Sequence, residues 1–212
     1  MNATTAGNGG NFDARQAAAL LEQTTLQARR KLEPTPPWLL CIRACIALAA
    51  YGTVWLSVRG QHPYHYPTVR VVPVVIALAI INLGATLTIA RRATAGVSGR
   101  SRLDARYLAA TAALWIAVFG VMVGLAVTGV SDTFVYGLYP TAVPLVVAGL
   151  TWAAAMAFRA YWRAVAVGLA VAVVGAAAAF AGPAGAWAVA GVGLFVVLLS
   201  TAAVIEWQQR RV

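Results

Sequence analysis

The chain has 212 residues, 61% of them hydrophobic and only 10% charged, with a mean hydropathy of +0.76. A soluble domain carries roughly 25% charged residues, and a globule of this length has too small an interior to hide so much apolar surface, so lipid must act as part of its solvent. The formal net charge of +10 would suggest nucleic acid in a soluble protein, but its distribution along the chain argues against direct nucleic-acid binding.

Residues 1–11, MNATTAGNGGN, form a polar leader expected to be disordered. Residues 12–36 are expected to form a cytoplasmic amphipathic helix, centred on Asp13–Glu33, which is rich in Ala, Leu, Gln, Glu and Arg and free of Gly and Pro. Ala17, Leu21, Ala28 and Leu32 share one face, and PTPPW then stops the helix. Two roles fit: an interfacial helix that sets Arg29, Arg30 and Lys31 against anionic headgroups, or a docking helix for a cytoplasmic protein. So long a polar leader does not suit a signal peptide, so the first apolar run is expected to remain as a span.

A helix needs about 20 apolar residues to cross the hydrocarbon. Six segments qualify, at about 38–58, 71–90, 107–129, 136–158, 164–181 and 184–205, leaving 206–212 as a cytoplasmic tail. The expected fold is therefore all-α: a polytopic transmembrane helical bundle over 37–205, its six spans arranged as three outward-facing hairpins. Gly182 and Pro183 alone separate the last two spans and should supply the break.

Direction follows from the basic residues. Arg15, Arg29, Arg30 and Lys31 precede the first span; Arg91, Arg92, Arg100, Arg102 and Arg106 join the second to the third; Arg159 and Arg163 join the fourth to the fifth; Arg210 and Arg211 follow the sixth. Of the 16 Lys and Arg residues, only Arg59 and Arg70 fall in the opposite set of connections. Both termini are thus expected in the cytoplasm, in a multi-pass protein of the cell membrane. The segment Arg91–Arg106 suits anionic headgroups or an acidic partner.

Within the first span, Cys41 and Cys45 stand one turn apart and read as small apolar side chains, and Arg43 is expected to snorkel to the boundary. The connection RGQHPYHYPTVR, residues 59–70, holds both histidines. His62 and His65 flank Pro63, and the one external carboxylate expected near them is Asp132, so a two-histidine, one-aspartate metal site is the sharp alternative to plain hydrogen bonding. Asn82 is the one amide or ionisable residue near the middle of the second span, either bonding across helices or lining a polar cavity. Gly120, Gly124 and Thr128 form a small-residue stripe on the third span that would permit close approach within the bundle or to a second copy. Tyr66-Pro67-Thr68 followed by Val72-Pro73 parallels Tyr139-Pro140-Thr141 followed by Val143-Pro144. The parallel reads as a repeated start signal at span entrances and as weak support for three hairpins related as parallel repeats. At the end of the sixth span, Glu206 is placed to pair with Arg210.

With LLEQTTLQARRKLEPTPPW, YGTVWLSVRGQHPY, GVSGR, VYGLYP and AGPAGAW in view, the chain resembles a family of uncharacterised actinobacterial six-span integral membrane proteins. The resemblance covers nearly the whole chain and implies genes beside small winged-helix regulators, hence a cytoplasmic regulatory partner. It implies no chemistry. The residues show no GxSxG, HExxH, P-loop or dinucleotide fingerprint, and no cofactor is called for. The expected function is a non-catalytic sensor or anchor acting with that partner. A small-solute carrier using Asn82, and an outward-facing metal- or haem-dependent enzyme using His62 and His65, stand as alternatives.

Overall fold

A computed structural model describes residues 37–61, 64, 66–94 and 102–210, with side chains left undescribed at 89–94 and 102–108. The expected leader helix with Arg29, Arg30 and Lys31 lies outside the described residues, as do His62, His65 and Arg100. The helices are α1 (Pro37–Val58), α2 (Val71–Thr94), α3 (Arg102–Val127), a π-helical turn (Thr133–Leu138) running into α4 (Tyr139–Ala157), α5 (Trp162–Phe180) and α6 (Gly182–Gln209). No strand occurs among the described residues, and six helices are long and apolar enough to cross a membrane. The protein is an all-α, six-helix, multi-pass bundle. One end carries the connections α1–α2, α3–α4 and α5–α6 (the loop end); the other carries the helix termini nearest the chain ends (the terminal end).

Backbone chemistry sets the breaks. Between α5 and α6, Gly182 takes φ +75°, which costs an L-residue dearly, and Pro183 stands in the first turn of α6 where its missing N–H is not needed. Between α4 and α5 the same left-handed position is held by Ala160, at φ +55°. There the Tyr161 N–H reaches back to the Met156 carbonyl at 3.0 Å, closing the chain reversal that glycine usually makes.

Four helices make the core. α4 lies against α5 along most of its length, α1 against α6, and α5 against α6. In lipid the solvent is as apolar as leucine, so helices are held by close van der Waals packing, which small residues permit. Gly149 shows the degree: a Cβ there would lie 2.5 Å from the Ala172 nitrogen and the Gly168 oxygen. Gly175 fits against Ala142 and Leu145, and Gly191 beneath Tyr51. Leu145, Ala178, Ala186 and Ala190 form the buried centre, with Tyr51, Leu138 and Val174 packed on it.

The remaining two helices are peripheral. No residue of Val71–Thr88 is buried, and within Ala109–Val127 the buried one is Val118. Ile80 and Ile116 are 64% and 74% exposed, as lipid-facing side chains would be. Gly120 and Gly124 do not serve the approach within the bundle that their spacing allowed, since a Cβ at either would meet nothing within 4 Å. The reason is that α3 meets α4 through Val118, whose carbonyl accepts the buried Tyr139 hydroxyl at 2.7 Å.

The two Tyr-Pro-Thr segments take different structures. Tyr66-Pro67-Thr68 stands before α2 without helical structure, with the Val71 N–H bonded to the Thr68 carbonyl at 2.9 Å. Tyr139-Pro140-Thr141 instead lies within continuous helix, because the π turn from Thr133 precedes it. Pro140 still stands in the first α-helical turn, so the second segment marks the change from π to α pairing rather than the start of the span. At the end of α6, Glu206 and Arg210 do pair, at 2.6 Å with both exposed.

Candidate functional site

Two polar features stand out against an apolar bundle. One lies between α1 and α2, towards the terminal end. Arg43 is as far from the end of α1 at Val58 as Thr86 is from the start of α2 at Val71, so an antiparallel hairpin sets them level. Arg43 Nη2 donates to Thr86 Oγ1 at 2.8 Å, and Thr86 Oγ1 donates to the Asn82 carbonyl oxygen, one turn back on α2, at 2.7 Å. Arg43 Nε and Asn82 Oδ1 are buried without partners. Arg43 thus does more than snorkel: its head is tied sideways to the neighbouring helix.

The second feature is at the loop end. Pro140 has no N–H to give the Tyr136 carbonyl one turn before it. The Tyr64 hydroxyl donates to that carbonyl instead, at 3.0 Å, across from the α1–α2 connection. The π-helical pairing beside it, Tyr139 N–H to the Phe134 carbonyl, widens the turn at the same place. Tyr66 meets the Tyr136 ring edge-on at 6.3 Å between centroids. Gly137 lies so near Pro183 and Tyr64 that a Cβ would come within 2.7 Å and 3.2 Å of them. Burial pushes the Tyr64 phenol above its ordinary 10.0, and the Trp187 indole N–H draws it part of the way back. That N–H makes no well-formed hydrogen bond, so it acts on Tyr64 as a nearby dipole.

Of the other residues singled out by sequence, Asp132 is exposed at the start of the π turn and caps nothing with its side chain. Arg91 and Arg92 lie on the last turn of α2, and Arg102 and Arg106 on the first turns of α3, all at the terminal end. Cys41 and Cys45 are free thiols. Among the described residues no three His, Cys, Asp or Glu side chains gather as metal ligands. Asn82 is brought to Arg43 through Thr86, a residue the sequence reading passed over; its spacing of four from Asn82 placed both on one face. Tyr64 was missed as well, because nothing local to it announces an acceptor freed by a proline far along the chain.

Two hollows among the described residues are apolar. One of about 330 Å³ lies between α1 and α6, lined by Leu48, Gly52, Trp55, Leu56, Trp187 and Gly191 among others. Another of about 180 Å³ lies along α4 and α5, lined by residues such as Val143, Val147 and Ala179. Compared with protein-family models, with curated proteins and with solved structures, the chain matches none.

Proposed function

We propose that the protein is a non-catalytic component of the cell membrane, a sensor or anchor that acts with a cytoplasmic partner, with both termini in the cytoplasm. The observation that carries this reading is the close-packed core: α4 and α5 meet at backbone distance around Gly149, and both hollows are lined by apolar residues. Such a core suits a rigid support better than a solute path, since proton-coupled carriers place acidic or His residues within their spans. Arg91 and Arg92 end α2 and Arg102 and Arg106 begin α3; basic residues at such positions favour anionic headgroups by about 1 kcal/mol each and suit an acidic regulatory protein. The resemblance to the actinobacterial six-span family supports the same partner.

The buried, unpartnered Asn82 Oδ1 favours the carrier as the second reading. One set of experiments separates them. The purified full chain is expected to form a complex of fixed stoichiometry with a cytoplasmic protein, lost when residues 1–33 are deleted, and to leave vesicles tight to solutes. Solute uptake that Asn82→Leu abolishes would replace the anchor with the carrier. Metal bound by the native chain and lost in the His62→Ala, His65→Ala variant would replace it with the enzyme.

A further inference from the structure

The strongest unexplained chemistry is the charge of Arg43. A guanidinium stays protonated in a protein, and an intramembrane charge needs a counter-charge or water. Arg43 lies about 9 Å along α1 from Pro37 at 1.5 Å per residue, near the base of the headgroup layer rather than within it. Its Nη2 is held by Thr86. That hydroxyl has one proton, committed to the Asn82 carbonyl, so it meets the guanidinium only as a neutral acceptor. Nε is buried with nothing to bond, and so is Asn82 Oδ1. The ion pair among the described residues is Glu206–Arg210, at an exposed position on another helix.

We propose that Arg43, Thr86 and Asn82 form a binding site for a phosphate group, supplied by an anionic phospholipid of the leaflet at the terminal end. Arg43 is not fully buried, and its guanidinium offers the outer Nη–H donors as a planar fork that can meet two phosphate oxygens while Nε stays enclosed. Thr86 fixes the fork in place before the ligand arrives, which reduces the ordering that binding requires. The acyl chains lie against α2, whose Ile80 and Leu83 are exposed beside the site. This site is independent of the partner reading: an anchor and a carrier would both hold the lipid.

Native mass spectrometry of the full chain in detergent tests it, with phosphatidylglycerol or phosphatidylcholine titrated in and inorganic phosphate titrated separately. The native chain is expected to hold its first phosphatidylglycerol about tenfold more tightly than Arg43→Gln, the factor expected of a lost charge-assisted pair. Thr86→Val should fall between them, as should Arg43→Lys, which keeps the charge but not the fork. Arg163→Gln removes an exposed arginine at the same end, and should leave the first lipid in place. Retention of phosphatidylglycerol that Arg43→Gln weakens, with inorganic phosphate unable to displace it, supports the lipid. Inorganic phosphate bound by the native chain and lost in Arg43→Gln, with no lipid retained, supports the same chemistry from a soluble source. Equal lipid binding by the native chain, Arg43→Gln and Arg43→Lys, with no phosphate bound, overturns the proposal. So does an equal loss in Arg163→Gln.

Discussion

A Cβ on Gly149 or Gly168 would lie 2.5 Å and 2.7 Å from atoms of the facing helix, whereas one on Gly120 or Gly124 would meet nothing within 4 Å. The first pair sits where α4 crosses α5; the second sits on α3, which touches its neighbours through Val118. The same residue type therefore does two jobs. In the core it removes a side chain so that backbones can meet, and at the periphery it leaves a face with no neighbour in the chain. Small residues permit a contact but do not oblige one.

The largest effect should come from filling the core glycine. Gly168→Leu must separate α4 from α5 and is expected to cost about 3 kcal/mol or more, near the top of the overpacking range. Gly120→Leu should stay within about 0.5 kcal/mol. Reversible unfolding by dodecyl sulfate in mixed micelles measures both, and equal losses would erase the distinction between core and periphery.

A smaller effect is expected where the peripheral helix is tied on. Tyr139→Phe removes the hydroxyl that binds the Val118 carbonyl, at a cost of about 1 kcal/mol. Labels on α3 should then move more freely in spin-label spectra while those on α5 do not. Tyr64→Phe should cost a similar amount, because it leaves the Tyr136 carbonyl without the donor that Pro140 cannot supply. Tyr64 also gives a pH signature. Its folded pKa lies above 10.0, so the folded state keeps the proton after the unfolded chain has lost it. The stability is present below pH 10.0 and is lost as pH rises through the folded value. Unfolding followed from pH 9 upwards should show an alkaline loss that Tyr64→Phe diminishes.

The smallest effect lies in the α4–α5 connection. Ala160 holds a left-handed conformation, and Ala160→Gly should stabilise by about 0.5–1 kcal/mol, as the relieved strain outweighs the greater freedom of the unfolded chain. Melting in the same micelles checks the sign.

The six helices could be read from the sequence because hydropathy is a property of each segment alone. Their neighbours could not. A helix that is apolar on every side gives no contrast between a face turned to lipid and one turned to another helix. Gly149 and Ala153 are spaced by four on α4, but in so alanine-rich a chain that spacing does not single them out, and Gly168, which packs on both, is on the next helix. The stripe of Gly120 and Gly124 followed the familiar pattern and faces open space. Tyr139-Pro140 was legible as a proline near a helix start, yet its consequence, a carbonyl left for Tyr64, depends on a contact between distant segments. Of the polar groups, Asn82 was visible by its isolation. Its link to Arg43 required knowing that α1 and α2 lie side by side in this register.

The close-packed centre formed by Leu145, Ala178, Ala186 and Ala190 is the central claim. It is tested most directly by placing cysteine at Ala178 or Ala190 in a Cys41→Ala, Cys45→Ala background and exposing the reconstituted protein to a charged, water-soluble thiol reagent. No modification is expected at either position until the bundle is unfolded. Rapid modification in intact membranes would reveal water running between α5 and α6, and would contradict the solid support on which the anchoring role depends.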